Sequence, residues 1–347
     1  MKKIIAILLS FMAVVIFPKF VAAANFTLSE SETVMEVESG RVLFRRNENE
    51  KLPMASTTKI VTAITVIENC DLNSVVEIGE DASGIEGSSV YLKKGEKFSV
   101  KDLLYGLLLR SGNDCAEALA TYCGGNGQTF LEMMHSVAKK CGAFNTRFSN
   151  PHGLPCDNHY TTAYDLCKIA CYCLKNKEFS EIVSTKKYVA SELNSGEKRV
   201  WLNKNKLLNS FEGADGVKTG YTKSAGKCFV GSATRKGARI VCVVLNSPQM
   251  FDRAKELLEN AFGEYDLVKI VDRTKFDYLL LSKDKTKSYR LSIRESFIYP
   301  LCKNDKIKAT VVIPPYAEKD PKSGDKVGKI EIYLSNELIF SENIYIL

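Results

Sequence analysis

Apolar positions along the chain follow two periods, and the point where one gives way to the other divides it. Between residues 25 and 265 helical spacing dominates. In "ASTTKIVTAITVIEN", at 55–69, Ile60, Val61, Ile64 and Ile67 recur at the period of an amphipathic helix. "VKDLLYGLLLRSGNDCAEALATYC" predicts a helix, a polar break holding Ser111 and Asn113, and a second helix. "FLEMMHSVAKKCG" predicts another, stopped at Gly142, and "TAYDLCKIACYCLK" one more after the turn-rich "NPHGLPCDNHY". Strand-like runs bracket these helices. "ETVMEVESGRVLFRR" predicts a hairpin turning at Ser39-Gly40. "ADGVKTGYT" leads into "KCFVGSATRKGARIVCVVLN", two strands around Arg235-Lys236-Gly237, and "RAKELLENAF" closes this part as a helix. Beyond about Tyr265 the helical period stops. "YRLSIRES", "KIKATVVIPP", "GKIEIYL" and "ELIFSENIYIL" then predict a small all-β domain over 266–347.

At 347 residues, 45% apolar and 26% charged, the chain is ordinary globular material sufficient for two domains. Its first residues differ in kind. "MKKIIAILLSFMAVVIF" places two lysines before a short apolar run, and "VAAAN" offers the small-x-small pattern of a cleavage site. Residues 1–24 therefore read as a secretory signal, with an uncleaved anchor as the alternative, and 25–265 as the main domain. The run at 4–17 is shorter than the roughly 20 residues a membrane span needs. Removing 1–24 removes three lysines and no acid, which lowers the net charge from +7 to +4. That is mildly basic, suited to an anionic wall or membrane surface, and no basic stripe interleaved with aromatics points to nucleic acid. Eleven cysteines suggest a disulfide framework, but the count is odd and several sit inside apolar helical patterns, so they read mainly as buried small hydrophobes. No paired Cys or His spacing suits a metal, and His135, His152 and His159 are scattered.

The chemistry rests on three short motifs. Ser-x-x-Lys occurs seven times, so any one match carries little weight. Only Ser56/Lys59 follows a Pro and an Ala at the head of a strongly apolar helix, and only it is followed in order by Ser111-Gly112-Asn113 and by Lys218-Thr219-Gly220, a tripeptide found once. Ser56 and Lys59, three apart on a helix, share a face. Lysine takes a proton from serine only when its charge is disfavoured, and burial plus a second cation, here Lys218, would do that. Backbone amides of Ser56 and Tyr221 could form an oxyanion hole. Ser111 could relay protons and Asn113 hold a substrate amide. Lys218 and Thr219 could bind a terminal carboxylate, with Gly220 admitting a close-lying chain. Read locally, Ser56 is equally a helix cap and Ser111 to Asn113 a simple turn. His152, Glu117 and Asp215 are given no catalytic role.

The ordered trio resembles that of penicillin-binding proteins and serine β-lactamases. "LPMASTTKIVTA", "LLYGLLLRSGNDCAEALA", "FSNPHGL", "YTTAYDL" and "GADGVKTGYTKSAGKCFVGSA" resemble the low-molecular-weight D-alanyl-D-alanine carboxypeptidases over about residues 28–265. The resemblance implies an α/β (α+β) fold, an antiparallel sheet sandwiched by helices, with a small all-β C-terminal domain. It implies an exported serine hydrolase without cofactor that acts on peptidoglycan stem peptides ending in D-Ala-D-Ala and is acylated by β-lactams. Two features depart from it. The C-terminus alternates with period two instead of forming a membrane-lying amphipathic helix, which leaves membrane association open, and cysteines such as Cys115 are unusual. The alternatives are a β-lactamase and a non-catalytic wall-binding protein. The first lacks the Glu-x-x-Leu-Asn loop of one lactamase class, since "SELNS" has the wrong spacing; the second leaves the complete trio unexplained.

Overall fold

Strand β1 (Ser31–Glu36) is buried along its whole length, although four of its six residues are polar. It lies inside a sheet, paired on one side with β2 (Val42–Arg46) across the turn at Ser39 and Gly40. The computed structural model describes residues 29–347, so the leader expected at 1–24 lies outside it. A 3₁₀ turn (Ala55–Thr58) then runs into α1 (Lys59–Asn69), whose residues from Lys59 to Val66 are all buried. β3 (Val75–Glu77) and β4 (Lys97–Ser99) make a short ribbon, and α2 (Val100–Tyr105) starts from a capping box between Ser99 and Asp102. Next come α3 (Asn113–Gly124), α4 (Gly127–Lys140), α5 (Ala163–Leu174), α6 (Lys177–Ser184), and a hairpin of β5 (Lys187–Ser191) and β6 (Lys198–Leu202). β7 (Ala214–Thr222), β8 (Gly226–Arg235), β9 (Ala238–Leu245) and α7 (Met250–Glu264) follow.

The main sheet is antiparallel with strand order β2-β1-β9-β8-β7, which leaves β7 on an edge. β9 shows why helices cover both faces. Its Val241, Val243 and Leu245 join the core that includes α1 and α5, while Ile240, Cys242 and Val244 join the one under α7. With side chains alternating at period two, a strand apolar at every position must be covered twice. On the α7 side, Arg253 clamps Glu32 of β1 through two bonds of 2.8 and 2.9 Å.

The predicted break before Ser111 is sharper than the sequence suggests. The apolar run does not continue as α-helix; it widens into a π turn over Gly106–Arg110. A Cβ at Gly106 would sit 2.6 Å from Cys115 Sγ, so the side chain missing there lets the helix press on α3. The wide turn delivers Ser111 into the left-handed region, at φ 66°.

After α7 only strands and one short 3₁₀ turn remain. β10 (Asp266–Val271) pairs with β13 (Phe297–Leu301). β11 (Leu279–Leu281), β12 (Ser288–Ser292), β14 (Ile307–Val312), β15 (Lys326–Leu334) and β16 (Glu337–Ile346) form a second sheet, ordered β11-β12-β16-β15-β14, around Leu280, Leu291, Ile332 and Ile344. The C-terminal alternation is thus a strand pair. Arg41, in the turn before β2, joins the domains: it forks onto Asp305 at 2.7 and 2.8 Å and lies over the rings of Tyr265 and Tyr299. Among the described residues no helix is long and apolar enough to cross a membrane. All eleven cysteines are free thiols, six of them buried; Cys156 is exposed and four are half-buried, so the small-hydrophobe expectation fits the helical and sheet positions apart from Cys123 near the end of α3, and not the connections.

Candidate active site

Ser56 does not cap a helix. Its 3₁₀ turn follows Met54, and the bonds back to carbonyls come from Thr57 and Thr58, which donate to Met54 and Ala55. In a 3₁₀ turn residues i and i+3 eclipse, which stacks Lys59 directly over Ser56. Lys59 Nζ lies 3.1 Å from Ser56 Oγ, 2.6 Å from Asn113 Oδ1 and 2.5 Å from the His152 carbonyl. The lysine is fully buried with no carboxylate against it, and burial, followed by the charge of Lys218, holds its pKa well below the ordinary lysine value.

Lys218 reaches this region from β7. It is 1% exposed, bonds only the Thr219 carbonyl at 2.9 Å, and has its pKa lowered to about 7 by burial and then by Lys204. Alternation along β7 puts Lys218 and Gly220 on the face toward α1, and Thr219 and Tyr221 on the face lining the cleft. At Gly220 a Cβ would lie 3.0 Å from Ser56 N and 3.1 Å from Met54 O and Thr57 N. The edge strand can therefore lie flush against the backbone that carries Ser56 only because the residue is glycine.

A cleft of about 780 Å³ opens here, lined by Ser56, Ser111, Thr219, Gly220 and Tyr221, and also by Ser88, Lys204 and the segment leading into α7. Of the eight residues singled out in the sequence, these five meet at one opening. Lys59 and Lys218 stand behind it. Asn113 completes the set. As the first residue of α3 and only 3% exposed, it turns inward, giving Oδ1 to Lys59 and donating from Nδ2 to the Glu86 carbonyl at 2.6 Å. It holds the lysine and the 86–88 loop. Its neighbour Asp114 accepts from Val90, Leu92 and Ser89, which fixes the same loop beside the cleft.

Two features lie beyond what sequence reasoning found. Lys204 reaches Ser88 Oγ at 3.3 Å and its charge depresses Lys218, but "NKNK" carries no signal separating it from a solvated loop. The "NPHGL" loop acts through backbone: Pro151 O accepts from Thr62 and His152 O from Lys59. Gly153, at φ 90°, crosses so close to Ala55 that a Cβ there would lie 1.9 Å from the Ala55 carbonyl. His159 donates to Thr58 Oγ1 at 2.8 Å while accepting from the Ser149 amide, and burial lowers its pKa to about 4. Cys115 is no nucleophile: burial and Asp114 push its thiol pKa well up. Asp215 is structural, tied to Ser232, Thr234 and Arg239. Among the described residues no cluster of His, Cys, Asp and Glu suits a metal ion.

A buried lysine beside a serine hydroxyl, at the mouth of a cleft walled by an edge strand, is an acyl-transfer arrangement. Comparison with known proteins agrees: the profile described as D-alanyl-D-alanine carboxypeptidase, peptidase family S11, matches residues 19–249. The chain belongs to that family. By membership it is a serine-type hydrolase. It is 33% identical over 277 residues to D-alanyl-D-alanine carboxypeptidase DacF of Bacillus subtilis, covering 77% of this chain and 71% of that protein. Against DacC of Escherichia coli it is 32% identical over 338 residues, covering 90% and 83%. Penicillin binding protein 5 from Haemophilus influenzae superposes with a TM-score of 0.77 at 27% identity, covering 94% of this chain and 98% of the other. The last two alignments extend over most of the β-rich tail as well as the catalytic part.

Proposed function

We propose that the protein removes the terminal D-alanine from peptidoglycan stem peptides through an acyl-enzyme on Ser56. Lys59, its charge disfavoured, takes the Ser56 proton as Oγ attacks the penultimate D-alanyl carbonyl. The backbone amides at Ser56 and Tyr221 receive the negative charge that develops on the carbonyl oxygen. The peptide C–N bond breaks, the departing D-alanine amine takes up the proton by way of Ser111, and water then hydrolyses the ester. Thr219 and Lys204, which line the cleft, receive the substrate's terminal carboxylate, with the charge of Lys218 behind them. The observation that carries this reading is the set of three contacts on Lys59 Nζ. Two acceptors, Asn113 Oδ1 and His152 O, occupy N–H groups and leave the nitrogen lone pair for the Ser56 hydroxyl.

A β-lactam, with a strained amide and a carboxylate in the same relation, would stop at the ester. Glu192 of "SELNS" cannot supply the deacylating carboxylate of a lactamase, because it is tied to Lys97, Asn194 and Ser195 away from the cleft. Membership of this family and the leader-like residues 1–24 support action outside the cytoplasm, at the cell wall. The test is labelling with a fluorescent penicillin followed by mass spectrometry of the adduct. One adduct per chain on Ser56, absent in Ser56→Ala, is expected. An adduct on another residue removes the mechanism, and fast penicillin turnover makes the protein a lactamase.

A further inference from the structure

The direction of the Lys59 lone pair depends on a backbone atom, the carbonyl of His152, which lies 93 residues away in sequence. What fixes that carbonyl is visible on both sides of the loop. Asn150 Oδ1 accepts from the amides of His152 and Gly153 at 3.3 and 2.7 Å, and Thr62 bonds the Pro151 carbonyl. The imidazole adds a third anchor. Leu154 N donates to His152 Nδ1 at 3.1 Å, so Nδ1 is an acceptor and the ring hydrogen sits on Nε2. Nε2 lies 3.1 Å from Glu117 Oε1. Glu117 stands on α3 one turn beyond Asn113, so the two share a face. Helix α3 therefore reaches Lys59 twice, directly through the Asn113 amide and at one remove through Glu117, His152 and the loop carbonyl. Glu117 is not among the leading electrostatic influences on Lys59, which are burial, Lys218, Cys115, Asp114 and Lys204, so its effect is geometric.

We propose that Glu117 and His152 form a positioning pair for the general base, holding the His152 carbonyl where it takes one Lys59 N–H and turns the lone pair onto Ser56. This rests on Ser56 and Lys59 being the acylating pair. Losing the Glu117 acceptor frees the imidazole, loosens the loop carbonyl and lets Lys59 rotate away from the hydroxyl. Substrate affinity should stay the same, because neither Glu117 nor His152 lines the cleft.

The experiment is a time course of fluorescent-penicillin acylation across concentrations, which separates the limiting acylation rate from the dissociation constant of the complex that precedes it, with a melting curve for each variant. Glu117→Ala is expected to lower the limiting rate roughly tenfold, since a small displacement of a catalytic group costs one to two decades. The dissociation constant should change less than about twofold and the adduct stay on Ser56. Glu117→Gln keeps an oxygen for Nε2–H and should recover most of the rate. Should the Ala variant melt early, Glu117→Leu fills the space without an acceptor and carries the same comparison. A Glu117→Ala protein that acylates like wild type, a loss confined to the dissociation constant, or a Gln variant as slow as Ala overturns the proposal. A wild type that takes no label on Ser56 sinks the acylation reading first and this one with it.

Discussion

Cations are buried at two places beside the main sheet, and the protein treats them in opposite ways. Under α7, Arg253 is packed against Glu32, which is itself 0% exposed and also faces Arg46 at 3.4 Å. Each partner stabilises the other's charge: the Arg253 pKa is raised, first by its bonds to Glu32, while that of Glu32 is lowered by the two arginines despite burial. At the β7 edge, Lys59 and Lys218 are as deeply buried and neither bonds a carboxylate; Lys59 feels the charge of Lys218, and Lys218 that of Lys204. Here the cost of burial appears as lowered pKa values. The same desolvation thus yields a clamp where a carboxylate is supplied and a proton acceptor where one is withheld.

Substitution at Lys59 should have the largest effect. Lys59→Met keeps the volume and removes the base, and acylation should fall about 10²- to 10⁴-fold in a labelling time course, with some loss of melting temperature because Asn113 Oδ1 and the His152 carbonyl lose their donor. A loss smaller than tenfold would take the base role from Lys59. Next in size, Glu32→Ala leaves Arg253 only Glu256 as a carboxylate partner and should cost about 3 kcal/mol in urea unfolding, while the folded protein still acylates within twofold of wild type. A mild effect on stability would mean the clamp is not holding α7 to β1. Smaller again is Lys218→Met, which sharpens the pH side. With the second cation gone the Lys59 pKa rises, so the acid limb of the acylation profile should move to higher pH, alongside a roughly 10- to 100-fold weaker response to a substrate carboxylate. Stability should respond as well. The native state releases the Lys218 proton near pH 7 and the unfolded chain only near 10.5, so the unfolded chain binds more protons between these values and wild-type stability rises with pH across that window. In Lys218→Met that rise should flatten, which a melting series from pH 6 to 10 would read.

The sequence exposed the parts of this arrangement that residue type encodes. Ser56, Lys59 and Lys218 stood out because an ordered trio on helix and strand is rare, and β15 and β16 because period-two alternation is local. The helical sandwich came from family resemblance, since nothing local says that β1 inserts between β2 and β9. The missed pieces share a cause. Lys204 reaches the cleft only because the connection from β6 to β7 folds back over it, and the His152 carbonyl is a backbone atom any residue would possess. The bond from Lys59 to Asn113 was equally hidden, because it is made across 54 residues of chain.

Arg41 fastens the appended strands beside β2, and β2 is the edge of the sheet opposite β7. Four strand spacings, roughly 19 Å, separate those two margins. The tail is therefore a handle on the rear of the catalyst, and gripping it leaves the mouth unobstructed. That grip is made by the guanidinium of Arg41 on Asp305 and the Pro300 carbonyl, two aromatic rings and the Tyr265 hydroxyl on the Leu43 carbonyl, so loosening it would widen the arc the mouth sweeps and leave its chemistry untouched.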